Sequence, residues 1–222
     1  MTINLASTHN RPDLPDRKPQ GVSRQSDGSV LWRIWAPQSD GVSLVVIANG
    51  KRQEIPMEPE GYGFFTHRRD GVAAGLRYAY KLKDGGEYPD PVSRWQPEGL
   101  HRPSAVFFPD EYAWSDDDWK GVAREDLVIY ELHVGTFTPE GTFDAIVPRL
   151  AQLRELGVTA IEIMPVAQFA GGRNWGYDGV HPNAVQNTYG GPQGLQRLVD
   201  AAHRAGVAVL MDVVYNHIGP EG

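Results

Sequence analysis

VTAIEIMPV, Val158–Val166, is apolar at almost every position. A strand with one wet face alternates polar and apolar residues. A near-continuous run suits a strand covered on both faces, the habit of parallel sheets flanked by helices. The flanking sequence extends that reading in both directions. Upstream, Ile146, Val147, Leu150, Leu153 and Leu156 recur at three- and four-residue spacing, which predicts a helix that Gly157 ends. Pro148 is expected in its first turn, because an interior proline would break it. Before that helix lies LVIYELHV, Leu127–Val134, a mostly apolar strand. Downstream, a second helix is expected from Pro192 to Ala205, with Leu195, Leu198, Val199 and Ala202 on its inner face and Gly206 at its end. VAVLMDVV, Val207–Val214, is the third strand. Strand-helix-strand-helix-strand predicts a parallel sheet covered by helices.

The front half follows a different grammar. Residues 1–20 are polar and proline-containing, and are expected to form a flexible tail. Over 21–114 short alternating runs are punctuated by turn residues. SVLWRIWAP (29–37) puts Val30, Trp32 and Ile34 on one face; VSLVVI (42–47), GFFTHRR (63–69) and LRYAYKLKDGG (76–86) follow. Such spacing predicts an all-β, immunoglobulin-like sandwich. Its aromatic residues Trp32, Trp35, Tyr62, Phe64, Phe65, Tyr78 and Tyr80 are read as core in preference to a ligand platform. DPVSRWQPEGLHRPSAV, 90–106, reads as a loop, 115–126 as a linker, and 127–222 as the α/β region.

Bulk numbers narrow the function classes. The chain has 222 residues, 41% hydrophobic and 22% charged, within the globular range. A net charge of −7 with interspersed signs argues against nucleic acid and anionic membrane as partners. There is no cysteine, so disulfide and thiolate chemistry are excluded. The first twenty residues hold no apolar leader segment, and no window approaches the ~18 apolar residues of a membrane span. A soluble, cytoplasmic protein is the expectation, and the sequence sets no oligomeric state.

One connection is unusually long. VAQFAGGRNWGYDGVHPNAVQNTYGG, 166–191, follows the C-terminal end of a strand. Those ends carry the chemistry of parallel α/β barrels, and long loops there are usually functional. The segment contains Trp175, Tyr177, Asp178, His181 and Tyr189. Aromatic faces and hydrogen-bonding groups together suit a sugar ring, with its apolar C–H faces and hydroxyl rim. Asp212 follows the third apolar strand, where a carboxylate is costly unless it lines a site or is paired. Glu131 and Glu162 interrupt apolar strands and are read as polar packing inside a barrel, with His133 beneath the site. His203 is expected to be solvated, His101 to lack a chemical partner, and Asp116–Asp118 to form a solvated acidic turn. No GxGxxG fingerprint, P-loop or nucleophile elbow is present.

YELHVGTF, ELGVTAIEIMPV, WGYDGV, YGGPQGLQRLVDAAH and DVVYNH together resemble the α-amylase superfamily of glycoside hydrolases. Within it, PDPVSRWQPEGLHRPS, YELHVGTFTPEGTFDA, NWGYDGV and DVVYNHIGPEG are most similar to the maltooligosyltrehalose trehalohydrolases. The resemblance runs from about Val22 to Gly222. It implies an early-set β-sandwich followed by the first three β/α units of a (β/α)8 TIM barrel. It implies a substrate, maltooligosyl trehalose or a related α-glucan, and neither cofactor nor metal. Asn216 matches a position that binds calcium in many α-amylases, but trehalose-releasing members generally do without that site. Asn183 departs from relatives that carry an aromatic residue there. Carried over residue by residue, Trp175, Tyr177, Asp178, Asp212 and His217 are the implied substrate-binding residues. The implied mechanism is retaining hydrolysis, in which two carboxylates ~5–5.5 Å apart act as nucleophile and acid. In this family they follow the fourth and fifth barrel strands, with a third carboxylate after the seventh. None is therefore expected among these 222 residues, and the chain alone is expected to be inactive. Two alternatives stand beside this reading: a glycogen branching or debranching enzyme, and a non-catalytic glucan-binding module.

Overall fold

The computed structural model describes residues 18–83 and 85–222. The tail expected over 1–20 therefore lies almost entirely outside the described residues. The front half is two stacked sheets built from β1 (Gly21–Arg24), β2 (Val30–Trp35), β3 (Val42–Ala48), β4 (Lys51–Pro56), β5 (Glu58–Gly61), β6 (Phe64–Arg69), β7 (Arg77–Leu82), β8 (Glu87–Tyr88) and β9 (Ser104–Ala105). One sheet runs β1-β2-β6-β5 and the other β4-β3-β7-β8, with β9 also on β7. All the pairings are antiparallel. Val30, Trp32 and Ile34 point into the core, as their alternation requires, and meet Leu44, Val46, Tyr78 and Tyr80 from the facing sheet. Arg33, on the other face of β2, is also buried. Its charge is met by Glu60 at 2.5 Å, and its guanidinium lies 3.7 Å over the Phe64 ring.

The aromatic residues of this half divide. Trp32, Phe64, Phe65, Tyr78 and Tyr80 are core, but Trp35 and Tyr62 are exposed, contrary to the core reading. Trp35 Nε1 donates to the Tyr62 carbonyl at 3.1 Å. Strands β4 and β5 were not expected. The two-residue Asn49-Gly50 turn, both φ positive, folds β4 back on β3.

The second half holds β10 (Ile129–Leu132), the single helical turn α1 (Val134–Phe137), α2 (Phe143–Ile146), α3 (Leu150–Glu155), β11 (Ala160–Ile163), β12 (Ala167–Gln168), β13 (His181–Val185), α4 (Gly191–Arg204) and β14 (Ala208–Met211). Strands β10, β11 and β14 form a parallel sheet in that order, with Glu131, Glu162 and Leu210 in register. Leu132, Ile161, Ile163, Leu198, Ala202 and Val207 share one core with the helices. Ile129, Glu131 and Leu210 belong to the other face and are exposed, and Glu162 is half-buried.

The first helical stretch starts earlier than expected. Thr142 caps it, its Oγ1 accepting from Ala145 N at 3.3 Å. Pro148 therefore sits in the interior, where 147–149 tighten into a 3-10 turn between α2 and α3. Phe143, Ile146, Leu150 and Leu153 form the buried stripe. Leu156, assigned to that stripe from sequence, caps the C-terminus and is 73% exposed.

The seam between the halves is polar and specific. His181 donates from Nε2 to Leu100 O at 3.1 Å, and Asn187 Nδ2 to Pro97 O at 3.2 Å. Ser115 N and Oγ donate to the buried Asp200 carboxylate, at 2.8 Å and 2.9–3.0 Å, and Arg204 reaches both residues at 2.6 Å. His203, expected in solvent, donates from Nδ1 to Asp116 at 2.6 Å and stacks on Trp119 at 4.6 Å. The acidic turn is therefore not simply solvated: Asp116 is a seam residue. His101 has a partner too, Glu221 at 3.6 Å, with both side chains exposed.

Candidate functional site

The long connection after β11 is not structureless. Strands β12 and β13 pair as a short antiparallel hairpin above the C-terminal ends of the parallel strands. Between them, residues 171–180 wrap a cleft of about 710 Å³. His133, Gly135, Thr136, Arg173, Trp175 and Asp178 are among the residues that line it.

Asn174 organises this loop. Its Oδ1 accepts from Gly176 N at 2.8 Å, forming an Asx-type turn, and its Nδ2 donates to Asp178 Oδ2 at 2.7 Å. Gly176 has φ +101° and lies against Pro165, so any Cβ would collide with the Pro165 carbonyl. The tight turn aims Trp175 and Tyr177 outward; they are 60% and 41% exposed. The Trp175 ring meets His133 edge-on at 4.9 Å.

Tyr177 is held at both ends by the segment after β14. Its Oη donates to Asp212 Oδ2 at 3.0 Å, and its carbonyl accepts from His217 Nε2 at 2.7 Å. Gly219 N donates to Gly179 O at 2.9 Å, so the same two segments are also joined through backbone. The phenol pKa is raised, first because its hydroxyl donates to Asp212. Tyr177 thus stays a neutral donor.

All five sequence-selected residues gather in this region. Trp175, Tyr177 and Asp178 line the cleft; Asp212 and His217 do not, and hold Tyr177 instead. Two other residues of the connection serve different ends. His181 is buried at the seam, where desolvation lowers its pKa. Tyr189 is buried behind the loop. Asn174, Thr136 and Arg173 were not selected from sequence. Asn-Trp-Gly, an Asx residue two before a glycine, is the local signal for Asn174; Arg173 and Thr136 carry none. Among the described residues no group of three or more His, Asp or Glu side chains is placed to hold a metal ion, and Asn216 is exposed.

Comparison with known proteins agrees with this geometry. Residues 106–222 match the family model for the alpha amylase catalytic domain. Residues 19–96 match carbohydrate-binding module 48, the isoamylase N-terminal domain. A malto-oligosyltrehalose trehalohydrolase of Saccharolobus solfataricus is 53% identical over 202 residues, covering 91% of this chain and 35% of the relative. One from a Rhizobium species is 46% identical over 211 residues, covering 92% and 35%. A crystal structure of a candidate α-amylase from Salmonella typhimurium superposes with a TM-score of 0.86 at 46% identity, covering 92% of this chain and 34% of that one. The chain thus spans about a third of the length of the curated relatives it matches. Its fold is a module-48 sandwich followed by the start of an α-amylase catalytic domain.

Proposed function

This chain belongs to the α-amylase family, and we propose that it forms the substrate-holding front of a retaining glycoside hydrolase that releases trehalose from maltooligosyl trehalose. One observation carries the proposal. Tyr177 is clamped by Asp212 at its hydroxyl and by His217 at its carbonyl, over the C-terminal ends of parallel strands and beside an open cleft. A ring fixed at both ends offers a sugar a preorganised apolar face, which lowers the ordering cost of binding. Trp175 supplies a second ring, and Asp178, Thr136 and Arg173 supply polar groups for hydroxyls.

In this proposal Asp212 and His217 act on the sugar mainly through Tyr177. Hydrolysis itself needs a carboxylate nucleophile and a carboxylic acid with separated pKa values, ~5–5.5 Å apart. By the family pattern those groups follow later barrel strands, so these 222 residues bind without cleaving. The proposed organisation is a sandwich over 21–114, a linker over 115–126 and the opening of the barrel over 127–222. The proposed partner is an α-glucan. Among the described residues no helix is long and apolar enough to cross a membrane, and the chain is free of cysteine. The proposed compartment is the cytoplasm.

The test is product analysis at the length of the relatives. Maltooligosyl trehalose should yield free trehalose, and amylose should gain no α-1,6 branches. Branching of amylose without trehalose release would replace this reading with the branching-enzyme one. Glucan binding with neither reaction would leave a binding module.

A further inference from the structure

Two side chains converge on one backbone atom, His133 from the lining of the cleft and Tyr189 from the buried core beside it. His133 Nε2 lies 2.8 Å from Asn174 O, and Tyr189 Oη lies 3.3 Å from the same carbonyl. The two groups also lie 2.8 Å from each other. On the far side of the imidazole, Nδ1 is 3.1 Å from Thr136 Oγ1. A carbonyl can only accept, so Nε2 carries a proton and donates it to Asn174 O, while Nδ1 is bonded to the Thr136 hydroxyl. Tyr189 is fixed independently, because its buried ring packs edge-on against Phe143 and Phe169 at 5.9 and 5.7 Å. Desolvation pushes its phenol up to about 12, so the hydroxyl keeps its proton throughout the neutral range. The imidazole edge also meets the Trp175 ring. A Cβ on Gly135 would come within 2.9 Å of His133 Cε1 and 3.1 Å of Tyr189 Cε1, so the pair fills the space that a side chain there would need.

We propose that His133 and Tyr189 are positioning residues, which pin the Asn174 carbonyl and thereby hold the Trp175 ring as a fixed, sugar-facing wall of the cleft. The sugar-facing part rests on the glucan reading above. The pinning does not. Trp175 directly follows the pinned carbonyl, and the Asn174 side chain fixes the turn on its other side through Gly176 and Asp178. A largely exposed indole is thereby denied the alternative orientations that would erase a shaped wall.

The experiment uses the 222-residue chain with its tryptophan indole N–H signals resolved by nuclear magnetic resonance, Trp175→Phe identifying the one that matters. Tyr189→Phe, which removes one oxygen, and His133→Ala should both move the Trp175 signal and leave the signals of Trp32 and Trp35 in place. His133→Gln keeps an N–H for the carbonyl and should bring the signal back toward wild type. Titration with maltotetraose should show affinity falling about tenfold in Tyr189→Phe and His133→Ala, the scale of one lost hydrogen bond, and under about threefold in His133→Gln. An unmoved Trp175 signal in both variants overturns the proposal, and so does a moved signal with unchanged maltotetraose affinity. If the wild-type chain fails to bind maltotetraose, the glucan reading falls, and the indole signals alone then decide whether the pair positions Trp175.

Discussion

Tyr177 Oη and Asp212 Oδ2 lie 3.0 Å apart although 35 residues separate them in the chain. Their bond joins the long loop after β11 to the segment after β14, and His217 makes a second joint on the Tyr177 carbonyl. The Tyr177 ring, proposed to face the sugar, is therefore held from two strand ends at once. Tyr177→Phe keeps the ring and cuts one joint. Its expected effect on the 222-residue chain is a rise in Kd for maltotetraose of about five- to tenfold, the scale of one charge-assisted hydrogen bond. Because Tyr177 is exposed, the melting temperature should stay within about 2 °C of wild type. An unchanged Kd would show that the Tyr177–Asp212 bond does not prepare the ring for the glucan.

His217 acts on backbone where Asp212 acts on a hydroxyl, and this separates the two by substitution. His217→Ala should loosen residues 176–179 and raise the Kd for maltotetraose, whereas His217→Gln can still donate to the Tyr177 carbonyl and should recover most of the loss. Maltotetraose titration of both variants is the check. Equal losses would mean that the imidazole is needed for something other than this bond, such as direct contact with the sugar.

Much of this arrangement is visible in the sequence, and the reasons for the misses are physical. VTAIEIMPV and VAVLMDVV announce a parallel sheet by their near-continuous apolar runs; β11 is largely buried on both faces, whereas Leu210 and Met211 of β14 are exposed. The aromatic loop after β11 stands out by length and composition. Strand β4, KRQEIP, is mostly exposed and shows no apolar alternation, and only Asn49-Gly50 betrays it. Pro148 misled the placement of the first helix. Thr142 starts that helix a turn earlier, and the stretch absorbs the proline as 3-10 geometry. His203 and Asp200 contact Asp116 and Ser115 across 87 and 85 residues, and no local pattern records such pairings. Tyr189 illustrates the same limit. Its place in the aromatic loop suggested a ligand-facing role, but its ring is buried against Phe143 and Phe169.

A polypeptide of these 222 residues should release no trehalose from maltooligosyl trehalose. Asp212, the half-buried carboxylate just after β14, is engaged as the acceptor of Tyr177, and Glu131 and Glu162 sit within the strands. A sensitive trehalose assay on the purified polypeptide checks this. Turnover above the rate of an Asp212→Asn control would show that a catalytic carboxylate is already present.

Asp200 is a buried carboxylate at the seam, accepting from Ser115 N and Oγ and from Arg204. Burial works to raise its pKa, but those donors hold it below the usual carboxylate value. Asp200→Ala strands the Ser115 donors against the helix. It should cost roughly 2–4 kcal/mol of stability, read as a lower urea midpoint, with the affinity of the distant cleft unchanged. A loss under about 0.5 kcal/mol would show that the seam contributes little to folding.

Asp90 makes the opposite kind of prediction. It is fully buried in the sandwich, where desolvation raises its pKa to about 6 against the bonds from Tyr78 Oη at 2.7 Å and Val92 N at 2.9 Å. Its folded pKa exceeds its unfolded one, so its stabilising contribution is complete below pH about 4 and is lost as pH rises through about 6. The two-unit gap corresponds to roughly 3 kcal/mol between those limits. Asp90→Asn cannot titrate. The difference in urea stability between variant and wild type should therefore change in the variant's favour from pH 4 to pH 7, then level off. A difference that stays flat across that window would mean that Asp90 keeps an ordinary carboxylate pKa, with the bonds from Tyr78 and Val92 offsetting its burial in full.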